Sequence, residues 1–226
     1  MPRFLVYGTS TAAGLYDTEQ GGWANRLNIQ NMLDPSKPEF LNLSLPGLNV
    51  HQILDDLPRS IAYAQAQTRR RVFGIFQPGG SEVYWSVGSS QGISPEGFTE
   101  ALQKIGAFCI ANTNGPPIFV TLQPHEKTLP EEDPFFIDPL VREKYNDCIR
   151  DVARDNAYPL VDLTEVFAKE QGQNPHHNLY AHDGIHPNGL GHMLIAQAVS
   201  LEIDDLLQMH PVQYKEPDER ALSANL

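Results

Sequence analysis

The stretch Phe4-Leu5-Val6-Tyr7-Gly8-Thr9-Ser10-Thr11-Ala12-Ala13-Gly14 passes from an unbroken apolar run straight into small and hydroxyl-bearing residues. Four consecutive apolar side chains without alternation are what a strand covered on both faces requires. The small residues behind them let the chain turn sharply at the strand's carboxyl end. Such a turn presents Ser10 at the rim, with its backbone amide pointing into the same space. The same residue types also serve an ordinary turn and helix cap. The stretch therefore decides a buried strand and a turn, and leaves the chemistry open.

Four similar apolar runs follow, at residues 40–43, 72–76, 118–122 and 160–163. Between and after them lie helical patterns at 23–32, 50–66, 95–111, 139–156 and 189–209. Pro95 after Ser94, and Asn188 or Gly189 just after Pro187, are suitable helix starts, because caps and prolines accommodate the unpaired first amides. This alternation predicts a five-stranded parallel sheet with helices on both faces and functional loops beyond the carboxyl ends of the strands. Gly and Pro cluster at 77–92 and 125–139, each directly after a strand, and both segments are candidate walls of a cleft. One domain is expected over residues 1–209, followed by a tail at 210–226 with little apolar periodicity.

A formal net charge of -12 opposes binding to a phosphate backbone, so nucleic acid is not an expected partner. The basic run Arg69-Arg70-Arg71 reads as a solvated helix end, where cations meet the negative end of the helix dipole. No apolar stretch is long enough to span a bilayer. Met1-Pro2-Arg3 leads directly into the first strand without a secretory pattern, and a cytoplasmic location is expected. Cys109 and Cys148 lie in helical patterns and read as two lone thiols rather than a bridge.

Near the other end of the chain stands Asp183-Gly184-Ile185-His186-Pro187-Asn188-Gly189-Leu190-Gly191-His192. An Asp and a His three residues apart can fold back in one turn, so that the carboxylate accepts a hydrogen bond from the imidazole N–H and sets its tautomer. His186 is then able to accept a proton from Ser10. In isolation the same segment reads equally as an Asx turn with a solvent-facing histidine.

Together the two segments resemble the SGNH (GDSL-like) hydrolase family, which has Gly-Asp-Ser in its first block and Asp-x-x-His before a helix in its last. The resemblance implies a three-layer α/β/α sandwich of the flavodoxin-like kind and a catalytic triad of Ser10, Asp183 and His186. It also implies an oxyanion hole formed by the amides of Ser10 and Gly47, the latter in Asn42-Leu43-Ser44-Leu45-Pro46-Gly47, with Ser81 as a third contributor. Two positions depart from the family. Thr9 replaces the usual Asp of the first block, and Gly79-Gly80-Ser81-Glu82 replaces the usual Gly-x-Asn-Asp, removing a side-chain amide. Loss of one oxyanion donor typically costs about 10²–10³ in rate. Gln77 and the amide of Gly80 are alternative donors.

The implied activity is cleavage of a small-molecule carboxylic ester through an acyl-enzyme, without a cofactor. The alternatives are an SGNH-fold binding protein with weak or no turnover, and an acyltransferase using the same triad. A metal-binding reading also exists, because His176, His177, His182, Asp183 and His186 are close in sequence, but their spacing matches no familiar ligand pattern and no metal is expected. Trp23 and the run Val83-Tyr84-Trp85 are either pocket walls or core, and Gln123-Pro124-His125-Glu126 is either a substrate contact or an exposed loop.

Overall fold

All five apolar runs form strands in the computed structural model, which describes residues 2–32, 34, 36–68, 70–85, 92–125 and 138–209. They are β1 (Arg3–Gly8), β2 (Glu39–Asn42), β3 (Val72–Gln77), β4 (Ile118–Val120) and β5 (Leu160–Val161). Every pairing is parallel, in the order β2-β1-β3-β4-β5. This is the flavodoxin-like order, in which the chain reverses direction across the sheet between β1 and β3. The helices are α1 (Ser10–Ala13), α2 (Trp23–Asn31), α3 (Val50–Gln67), α4 (Gly80–Trp85), α5 (Pro95–Asn112), α6 (Pro139–Asn156), α7 (Leu163–Gln173) and α8 (Gly189–Met209).

Because successive strand residues point to opposite faces, each run supplies two cores. Phe4, Val6, Phe73 and Ile75 pack with Trp23 and Leu27 of α2, Phe167 of α7, and Ile195 and Val199 of α8. On the other face Leu5, Tyr7, Phe76 and Phe119 pack with Ile53 and Leu57 of α3, Phe98 and Leu102 of α5, and Tyr145 and Ile149 of α6. The result is the expected α/β/α sandwich. Cys109 and Cys148 are both free thiols, the first fully buried.

Three helices depart from the sequence expectation. The segment 77–92, read as a loop, contains α4. The run at 160–163 is a strand only as far as Val161, because the Asp162 side chain accepts the Thr164 amide at 2.9 Å and starts α7. α1 begins at Ser10 itself. The start of α5 is as expected, with Ser94 accepting from the Gly97 amide, and α3 opens on a reciprocal capping box of Asn49 and Gln52 that the sequence reading did not name. The tail expected at 210–226 lies outside the described residues.

Candidate active site

Ser10 stands directly beyond β1, where the chain leaves the sheet and closes one helical turn through the Ala13 amide to the Thr9 carbonyl (2.8 Å). As the first residue of α1, its own amide lies where helical backbone donors have no partner within the helix. α1 ends at Gly14 in the left-handed region (φ 88°), where a Cβ would collide with the Gly21 carbonyl. That close approach is held by Asp17, which is buried and accepts the Gly22 amide at 2.8 Å and the Arg26 guanidinium at 2.7 and 2.8 Å. Burial favours the protonated acid, but Arg26 and the loop amides outweigh it and pull the Asp17 pKa down to about 2.

Asp183 and His186 come from the loop before α8. Asp183 Oδ1 accepts the amides of Ile185 and His186, each at 3.0 Å, and so closes the turn. Its Oδ2 lies 2.6 Å from His186 Nδ1, and His186 Nε2 lies 2.7 Å from Ser10 Oγ. Burial pushes the Asp183 pKa up, yet hydrogen bonds from the His186 ring and the two amides leave it below the ordinary carboxylate value. An ionised Asp183 keeps the imidazole proton on Nδ1, which leaves the Nε2 lone pair to accept from the Ser10 hydroxyl. The fold thus brings the Asp183–His186 pair to a serine that lies 176 positions before His186 in the sequence.

Ser10 and His186 open onto a cavity of about 260 Å³. Gly47, in a left-handed turn (φ 83°), lines it, as do Gly80 and Ser81. Ser81, however, donates its hydroxyl proton to the Leu48 carbonyl at 3.0 Å, so that proton is already committed. Gln77 is not among the lining residues. It is buried, accepting from Trp23 Nε1 at 3.1 Å, and Trp23 is likewise core. Thr9 packs on Gly80 so closely that a Cβ there would collide with Thr9 Oγ1. Glu82 is buried, accepts the Val50 amide at the head of α3, and has its pKa raised by burial.

Val83, Tyr84, Gln123 and His125 are walls of the cavity, whereas the Trp85 side chain and Glu126 lie outside the described residues. Gln123 Nε2 donates to Thr11 Oγ1 and to the Ile185 carbonyl, both at 3.1 Å, tying this wall to the Ser10 and His186 segments. Burial, with Arg142 and His186 nearby, pushes the His125 pKa down to about 3, so its ring is neutral near pH 7. Arg142, on the first turns of α6, also lines the cavity. Sequence patterning passes over it, because a lone arginine in a helical repeat resembles a solvated charge. The available signal was its position just beyond the cleft segment at 125–139.

The histidines of the last block turn to separate partners. His177 Nδ1 meets Glu170 at 2.7 Å, and the His182 ring stands edge-on to Tyr16. Among the described residues no three His, Cys, Asp or Glu side chains are grouped to hold a metal ion. No helix among them is long and apolar enough to cross a membrane.

Residues 6–194 match the GDSL-like lipase/acylhydrolase family. The chain belongs to this family. No curated protein matches the sequence. Solved structures do match. An α/β hydrolase from the metagenome of Lake Arreo, Spain, is 19% identical with a TM-score of 0.70, over 90% of this chain and 95% of that one. A lipase/acylhydrolase from Enterococcus faecalis is 14% identical with a TM-score of 0.69, over 91% and 96%. An acetylxylan esterase from Geobacillus stearothermophilus is 16% identical with a TM-score of 0.67, over 89% and 93%. At these identities the likeness establishes the fold. Family membership places the chain among hydrolases of the lipase and acylhydrolase type.

Proposed function

We propose that this family member is a serine esterase that hydrolyses small carboxylic esters through an acyl-enzyme on Ser10. The observation that carries the reading is the continuous relay from Asp183 Oδ2 to His186 Nδ1 (2.6 Å) and from His186 Nε2 to Ser10 Oγ (2.7 Å). Ser10 Oγ attacks the ester carbonyl while His186 takes its proton, and Asp183 stabilises the resulting imidazolium. The amides of Ser10 and Gly47 receive the oxyanion, and Ser81 assists only by turning its hydroxyl away from Leu48. The alcohol leaves with the proton from His186. Water then attacks the acyl-enzyme with His186 as base, and the acid departs as Ser10 regains its proton. A cavity of about 260 Å³ suits short acyl groups.

The test is hydrolysis of p-nitrophenyl acetate, butyrate and octanoate by wild type and Ser10→Ala, with a chelator in a parallel series. Chelator-resistant turnover, fastest on the short esters and lower by about 10³-fold or more in the variant, is the expected result. Unchanged hydrolysis by Ser10→Ala overturns the assignment. Ligand binding without Ser10-dependent turnover identifies a binding protein instead, the reading that the absent Asn side chain at Ser81 favours.

A further inference from the structure

A guanidinium carries five N–H donors, and taking it out of water is unfavourable unless acceptors replace the lost hydration. Two other arginines of this chain follow that rule. Arg26, 5% exposed, is held by Asp17 and Glu19 at 2.7–2.9 Å. Arg150 is held by Asp162, Glu143, Asp147 and Thr164. Arg142 does not follow it. It is 8% exposed, its buried Nε has no hydrogen-bond partner, and its ion-pair contact among the described residues is Glu143 at 3.9 Å. Glu143 is itself engaged at 2.5 Å by Arg150.

This guanidinium lines the cavity onto which Ser10 and His186 open. No Asp or Glu is among the described lining residues, and His125, the neighbour whose charge would compete, is neutral. A chain of net charge -12 therefore keeps in its candidate active site a cation whose carboxylate contact among the described residues is a single long one, to Glu143 at 3.9 Å. A largely buried cation whose Nε lacks a hydrogen-bond partner favours an anionic guest, and a planar guanidinium matches a carboxylate in particular.

We infer that Arg142 is a specificity residue that selects esters carrying a carboxylate group close to the scissile bond. The inference rests on the serine-esterase reading and adds the substrate class to it. The substrate enters with its carboxylate against Arg142 and its ester carbonyl at Ser10. The carboxylate belongs to the acyl part, as in a half-ester of a dicarboxylic acid, or to the alcohol part, as in an acylated hydroxy acid.

Two matched pairs separate these cases, each replacing a terminal methyl by a carboxylate: methyl butyrate against monomethyl succinate, and ethyl acetate against acetoxyacetate. Proton release is followed at constant ionic strength for wild type, Ser10→Ala, Arg142→Lys and Arg142→Met. The expected result is a wild-type kcat/KM at least about tenfold higher for the carboxylate member of one pair, a ratio that Arg142→Met removes and Arg142→Lys partly retains. The pair that responds identifies the side of the ester Arg142 reads. Ser10-dependent hydrolysis with no carboxylate preference in either pair overturns the inference and leaves the esterase reading intact, as does a preference that survives Arg142→Met. Hydrolysis indifferent to Ser10→Ala overturns the esterase reading, and the inference with it. Should Arg142→Met fail to fold, competitive inhibition of wild-type methyl butyrate hydrolysis by succinate supports the inference, and its absence refutes it.

Discussion

Asp183 accepts two amides and one imidazole, and replacing one of its oxygens by an amide nitrogen changes the electrostatics while conserving the shape. Asp183→Asn should lower kcat by about 10²–10⁴ with little change in KM, because a neutral partner no longer sets the tautomer of His186 or supports its cationic form. Steady-state kinetics on a p-nitrophenyl ester checks this. Ser81 is the opposite case. Its proton is held by the Leu48 carbonyl, so Ser81→Ala should cost less than about tenfold in kcat, well below the 10²–10³ typical of a lost oxyanion donor. A larger loss in kcat alone would show that the hydroxyl turns to the oxyanion. That Ser10, Asp183 and His186 are candidates was legible in two short motifs. That Ser81 is occupied was not, since a hydroxyl's partner depends on a carbonyl 33 positions away.

At the scale of elements, the wall after β4 is held by α6 and not by a longer ladder. Asn146, fully buried, accepts the Leu122 amide at 2.9 Å and donates to the Leu122 carbonyl at 3.1 Å. This explains why the apolar run at 118–122 is a strand only to Val120: a side chain takes over the backbone pairing. Asn146→Ala leaves two buried backbone groups without partners, and urea denaturation should show a loss of about 2–4 kcal/mol. α4 and α7 escaped the sequence reading for a different reason. The six residues of α4 begin at Gly80, directly after Gly79, and run into a Gly/Ser-rich stretch that reads as loop, and α7 starts within what reads as an apolar strand end. The long helices α3, α5, α6 and α8 were legible because repeated turns of apolar periodicity average over local composition.

Across the whole molecule, the burial that forms the two cores also sets the response to acid. His192 is completely buried, and burial pushes its pKa down from 6.5 to about 4. The unfolded chain therefore binds this proton more readily, so the contribution is fully present above about pH 6.5 and is lost as pH falls toward 4, by at most about 3 kcal/mol. Asp17, lowered from 3.8 to about 2, adds a second loss below about pH 4. Tm measured from pH 8 to pH 3 should fall in these two windows, and His192→Phe should lessen the fall in the first, to which His125, lowered to about 3, also contributes. By itself the sequence determined the five strands, their parallel pairing, the helices on both faces, and the two blocks that carry Ser10, Asp183 and His186. These are readable because apolar runs, periodicity and turn residues act through neighbours in the chain. Only the tertiary structure decided that Ser81 is bonded to Leu48, that Gln77 is spent on the core, that His125 is neutral, and that Arg142 lies in the cavity without, among the described residues, the close acceptors given to Arg26 and Arg150. Each of these depends on which distant atoms share a space from which water is excluded, and that is a property of packing rather than of local sequence.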